Sequence, residues 1–171
     1  MMKDTVIIGI GNILLQDDGV GVHVITQLEK ETLPSTIELV DGGTSTLDTL
    51  GYFLDYKKVI VVDCLRAGLE PGTIYKIKPE DIKTYQKENL SIHDVQILDV
   101  VKMANMMGQY PEVVIFGIEP KTIAVNLEMT ELMKAKIPEM IANIKKELLL
   151  GAEEDEAVGA EAEVELGETY A

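Results

Sequence analysis

Cysteine occurs only once, at Cys64, which excludes an internal disulfide framework and a zinc site built from several cysteines. No apolar run approaches the ~18 residues that a membrane-spanning helix requires. The N-terminus, MMKDTVIIGIGN, lacks a basic n-region, and its apolar run leads into a glycine motif rather than a small-residue cleavage site. A cytoplasmic address is therefore expected. Bases are scarce beside acids, 15 Lys and Arg against 30 Asp and Glu, for a formal net charge of −15. Residues 151–171 hold eight acids and no base, which leaves the first 150 residues near −7. No basic stripe is available for nucleic acid, and an anionic membrane would repel such a surface.

What is present is a globular chain. Its 171 residues, 46% of them hydrophobic, suffice for one domain with a sizeable core. Short β-branched apolar runs alternate with helical spacings. Strands are expected at Thr5–Ile10, Ile37–Val40, Lys58–Asp63, Thr73–Ile77 (an edge) and Val113–Gly117. Helices are expected at Gly19–Glu31, at Leu47–Leu54 with Thr44 or Ser45 as N-cap, and at Asp94–Met107. A last helix is expected from about Ile137, with Pro138 in the first turn and Gly151 as its stop. This alternation predicts a single three-layer α/β/α domain over residues 1–150, with a mostly parallel twisted sheet of about five strands. The acidic tail, residues 151–171, is expected to be disordered.

The loop after the first strand, GIGNILLQDDGVG at Gly9–Gly21, resembles a dinucleotide fingerprint only superficially. The third glycine of that pattern would fall at Leu14, and Asp17 and Asp18 would repel a pyrophosphate at the helix N-terminus. Asp17 reads as a complement to the helix dipole or as a cap, whereas position alone leaves Asp18 open. Asp63 ends the strand KVIVVD, where open α/β sheets gather their ligands, although an acid there also suits a turn or an ion pair with Arg66. His93, in SIHD before a helix, reads alone as a surface or capping residue. One imidazole and two carboxylates from three loops would suit a borderline divalent cation and leave coordination positions open.

Four segments together resemble the hydrogenase-maturation endopeptidases, which trim the C-terminus of a NiFe-hydrogenase large subunit. They are GIGNILLQDDGVGVHVI, DGGT at Asp41–Thr44, VVDCLRAG at Val61–Gly68 and SIHD at Ser91–Asp94, in the family's order and spacing over about residues 5–150. The resemblance implies Asp18, Asp63 and His93 as catalytic-site metal ligands, Asp18 standing where relatives often carry glutamate. It implies a nickel-loaded large-subunit precursor as partner, with the divalent metal, nickel, carried by the substrate and the resting enzyme free to be metal-free. Asn12, Asp41, Gly42 and Gly43 become candidate substrate contacts, and Asp17 or Asp41 a candidate base in an aspartic-type hydrolysis. The alternative is a metal-sensing chaperone of the large subunit that binds without cutting.

Other residues invite a role and have plainer readings. Cys64 follows a buried strand with no visible base and reads as structural. His23 lies on the first helix between valines and reads as partly exposed and structural. Met103, Met106 and Met107 read as core filler. Glu119-Pro120 reads as a turn bordering the cleft.

Overall fold

The computed structural model describes residues 3–82 and 92–168, except for the side chains of residues 92–95 and 151–168. Five strands form one sheet in the order β2-β1-β3-β5-β4: β1 (Lys3–Ile10), β2 (Ile37–Gly43), β3 (Tyr56–Cys64), β4 (Ile74–Ile77) and β5 (Glu112–Ile118). The first four in that order are parallel, and edge strand β4 runs antiparallel to β5. Each expected strand is present. β2 runs three residues further than Val40 and takes Asp41-Gly42-Gly43 into the ladder, where Gly43 pairs with Ile10.

Successive side chains of a strand face opposite ways, and both faces are apolar here. Val6, Ile8 and Ile10 of β1 pack with Val59 and Val61 of β3, Phe53 of α2 (Leu50–Asp55), and Ile97, Val100 and Ala104 of α3 (Ile92–Met106). The other face lies under α1 (Val20–Leu28), whose contact is unusually close. A Cβ on Gly21 would sit 2.2 Å from the Val62 carbonyl oxygen and 2.3 Å from that of Ile10, and one on Gly9 would sit 2.2 Å from the Gly21 carbonyl. The glycines of the first motif therefore let helix backbone rest on sheet backbone.

Two expectations for helices need correction. A 3-10 turn at Thr46–Thr49 precedes α2, and Ser45 before it makes no side-chain capping bond. The last helix, α4 (Glu131–Glu168), starts several residues before Ile137 and carries past Gly151. Thr130 is its cap: its Oγ1 accepts the Met133 N–H at 3.4 Å. Buried Met133, Ile137, Met140 and Ile144 recur at helical spacing, and this apolar stripe outweighs the one backbone bond that Pro138 cannot donate.

The chain divides into two compact units. Met1–Ile137 holds the sheet, α1–α3 and the start of α4, and the unit from Pro138 holds the rest of α4 as far as Glu168. The tail, residues 151–171, is expected to be disordered, whereas its backbone is helical as far as Glu168, and residues 169–171 lie outside the described residues. Among the described residues no helix is long and apolar enough to cross a membrane.

Candidate active site

From β1 the chain passes to β2 on one flank, and it reaches β3 on the other. A crevice opens where such a sheet reverses its order, so the carboxyl ends of β1 and β3 are where ligands collect. The loop leaving β1 is tightly shaped. Gly11 has φ +147°, and a Cβ there would lie 2.1 Å from the Asp18 carbonyl oxygen. Its N–H donates to the Gly43 carbonyl at 2.8 Å, tying this loop to the end of β2. Asn12 Oδ1 accepts the Leu14 N–H (2.9 Å), and the Asn12 N–H donates to Asp18 Oδ2 (3.0 Å). Asn12 thus holds its own loop, and Asp18 is half-buried within it.

Asp63 lies buried near the end of β3, and its Oδ1 accepts the Cys64 N–H at 2.7 Å. Cys64 reports the local field. Burial pushes its thiol up first, and the negative charges of Asp63, Asp18 and Asp17 push it further, against a smaller opposing effect of Arg66. The sulfur therefore stays protonated at neutral pH and is no nucleophile. Asp18, in the 3-10 turn after β1, and Asp63, near the end of the adjacent strand β3, are 45 positions apart in sequence. The side chain of His93 lies outside the described residues. Among the described residues no three His, Cys, Asp or Glu side chains form a metal-holding group.

Asp17 points the other way from its neighbour and is fully buried, 0% exposed. Its carboxylate accepts the N–H groups of Lys121 (3.1 Å), Thr122 (3.0 Å) and Thr130 (2.8 Å), and the Thr130 hydroxyl at 2.9 Å. Four donors engage both oxygens, so Asp17 clamps the segment after β5 and the cap of α4. Glu119 does the equivalent for the loop after β3. It is buried and accepts the Ala67 N–H (2.8 Å), the Gly68 N–H (3.3 Å) and the Tyr75 hydroxyl (2.8 Å). That clamp presents the exposed Arg66 at the rim. The bracing role of Glu119 went unread in sequence, although it carries the same signal as Asp63: an acid immediately after a buried strand.

Asp41 is exposed, and its Oδ1 accepts the Gly43 N–H at 2.9 Å. Gly42 is pressed against Ile10 and Ile8, whereas a Cβ on Gly43 would meet nothing within 4 Å. The backbone at Gly43 is therefore open to approach, and its φ of +56° suits glycine. His23 is half-buried on α1, and desolvation holds its imidazole below the usual range. Met103, Met106 and Met107 are exposed, which corrects their reading as core: they end α3, where the helix gives way to a turn.

A family model described as hydrogenase maturation protease matches residues 22–147. A Methanocaldococcus jannaschii protein, provisionally named a hydrogenase maturation protease, is 38% identical over 125 residues, 70% of this chain and 77% of that one. The hydrogenase 2 maturation protease of Escherichia coli is 28% identical over 134 residues, 77% of this chain and 82% of its own. The solved hydrogenase maturating endopeptidase HybD from Escherichia coli aligns with a TM-score of 0.80 at 25% identity, across 88% of this chain and 94% of that one.

Proposed function

This chain belongs to the hydrogenase maturation protease family and is a peptidase, and from that premise we propose that it removes a short C-terminal peptide from a nickel-loaded NiFe-hydrogenase large-subunit precursor. Asp18, Asp63 and His93 read the nickel. What supports this reading is that Asp18, in the 3-10 turn after β1, and Asp63, near the end of the neighbouring strand β3, both lie toward the carboxyl-terminal ends of these parallel strands. Oxygen and nitrogen donors suit nickel(II), and three ligands from separate elements leave positions for the substrate's own groups. The metal arrives with the substrate, so cleavage becomes conditional on its insertion.

Hydrolysis requires a water whose oxygen attacks the scissile carbonyl, and a proton delivered to the leaving amine as the C–N bond breaks. Asp17 has both oxygens engaged by four donors, so Asp41 is the carboxylate that takes the water's proton. Gly43, open and extended from β2, lets the peptide backbone lie close to it. The surplus of acids, without a basic stripe, accords with a protein partner rather than nucleic acid.

The test uses purified chain with precursor prepared with and without nickel, followed by intact-mass spectrometry. Loss of a short C-terminal peptide from the loaded form alone is expected. Equal trimming of the nickel-free form would overturn the metal-reading role, and a stable uncut complex would return the chain to the role of a binding chaperone.

A further inference from the structure

Leu15 and Asn126 form a parallel bridge, with Gln16 N–H donating to the Asn126 carbonyl (2.9 Å) and Asn126 N–H to the Leu14 carbonyl (3.0 Å). The Asn126 N–H bond to the Leu14 carbonyl sets Leu14 beside the segment that carries Val125 and Leu127. All three are exposed, at 55%, 89% and 67%. They are held firmly: Asp17 clamps residues 121, 122 and 130 from beneath, and Asn126 Oδ1 accepts the Glu128 N–H at 2.9 Å. A water-facing trio of large apolar side chains on so rigid a platform is not core that failed to close.

We propose that Leu14, Val125 and Leu127 are the docking surface for the substrate protein, taking an apolar face of the large-subunit precursor beside its cleavage site. The inference rests on the proteolytic reading above. Its occupant follows from continuity: Leu14 is bonded through Asn12 to Asp18, so a body seated on the patch also lies against the candidate site. With 15 bases against 30 acids the chain has few cations to offer a partner, and apolar burial supplies attraction that salt does not screen. The exposed methionines at the end of α3, Met106 and Met107, precede β5 and so belong to the opposite edge of the sheet. They serve as the control.

The experiment measures the Kd of nickel-loaded precursor by biolayer interferometry for wild type, Val125→Ser/Leu127→Ser, Leu14→Ser and Met106→Ser/Met107→Ser. The same samples are checked for cleavage by mass spectrometry. Substitutions at such exposed positions leave the thermal midpoint nearly unchanged. Binding is expected to weaken about tenfold or more in the first two variants, at low and high salt alike, and to stay within about twofold in the methionine variant. Unchanged binding in both patch variants, or equal weakening in the methionine control, overturns the docking surface. Cleavage is scored separately, so an intact precursor would count against the proteolytic reading while the Kd still decides the patch.

Discussion

The two edges of the sheet use charge in opposite ways. At the amino edge Lys3 pairs with Glu38, Lys57 with Asp4 and Lys58 with Glu112, at 3.5, 3.0 and 3.1 Å, and every one of these carboxylates is substantially exposed. Tyr56 adds a hydrogen bond to Glu38, which holds that carboxyl below the usual range. At the carboxyl edge Asp17, Asp63 and Glu119 are buried and accept backbone N–H groups instead. Solvent weakens a surface pair, and ordering two long side chains offsets much of the gain. A buried carboxylate holding several N–H groups is different, because removing it leaves every donor unsatisfied. The edge at which the proposed site lies is the one that is clamped.

The contrast can be broken by mutation, and Asp17→Ala should have the largest effect. It strands three N–H groups and a hydroxyl, at a cost of about 3 kcal/mol or more, read from urea unfolding. Hydrogen exchange should rise across residues 119–130 before the rest of the sheet. Glu119→Ala should follow at about 2 kcal/mol, with Tyr75→Phe removing a smaller share and the Arg66 loop loosening. Asp4→Ala at the amino edge should change stability by no more than about 0.5 kcal/mol, an effect that salt diminishes further. A large loss at Asp4, or a negligible one at Asp17, would erase the distinction between the edges.

The smallest effect belongs to neither edge. His23 on α1 has a buried Nε2 without a hydrogen-bond partner, and burial lowers its pKa. The folded chain therefore binds fewer protons than the unfolded chain just below the ordinary value of about 6.5. Its share of stability is complete above that value and is lost as pH falls toward the folded pKa. Relative to His23→Gln, the wild-type unfolding midpoint should fall as pH drops from neutral into mild acid. An unchanged difference would remove the titration from the account.

Much of the fold could be read directly because its signals are local. Continuous β-branched runs such as KVIVVD mark strands covered on both faces, and all five strands occur where such runs or turn residues place them. Pairing Gly9 with Gly21 as a helix-on-sheet contact was beyond local patterning, since it depends on two backbones meeting. Pro138 misled because its preference for a first turn is an average, whereas the stripe through Met133 and Ile137 extends the helix backward to the Thr130 cap. For the proposed site, the strand end singled out Asp63, and only the family resemblance singled out Asp18. The bracing by Asp17 and Glu119 was not legible: their partners lie 104 to 113 and 51 to 52 positions away, or 44 for the Tyr75 hydroxyl. Adjacent acids in DD can face opposite directions, and only tertiary contacts reveal which one is clamped.

Asp18, the half-buried acid of that pair, is proposed to read the substrate's metal, while its buried neighbour Asp17 holds the platform. Intact-mass measurement of nickel-loaded precursor after incubation with wild type and with Asp18→Asn tests it most directly. Asparagine preserves an acceptor for the Asn12 N–H, so the thermal midpoint should match that of wild type. The account predicts a product shortened at its C-terminus with wild type and uncut precursor with Asp18→Asn. Trimming by Asp18→Asn at the wild-type rate would contradict it.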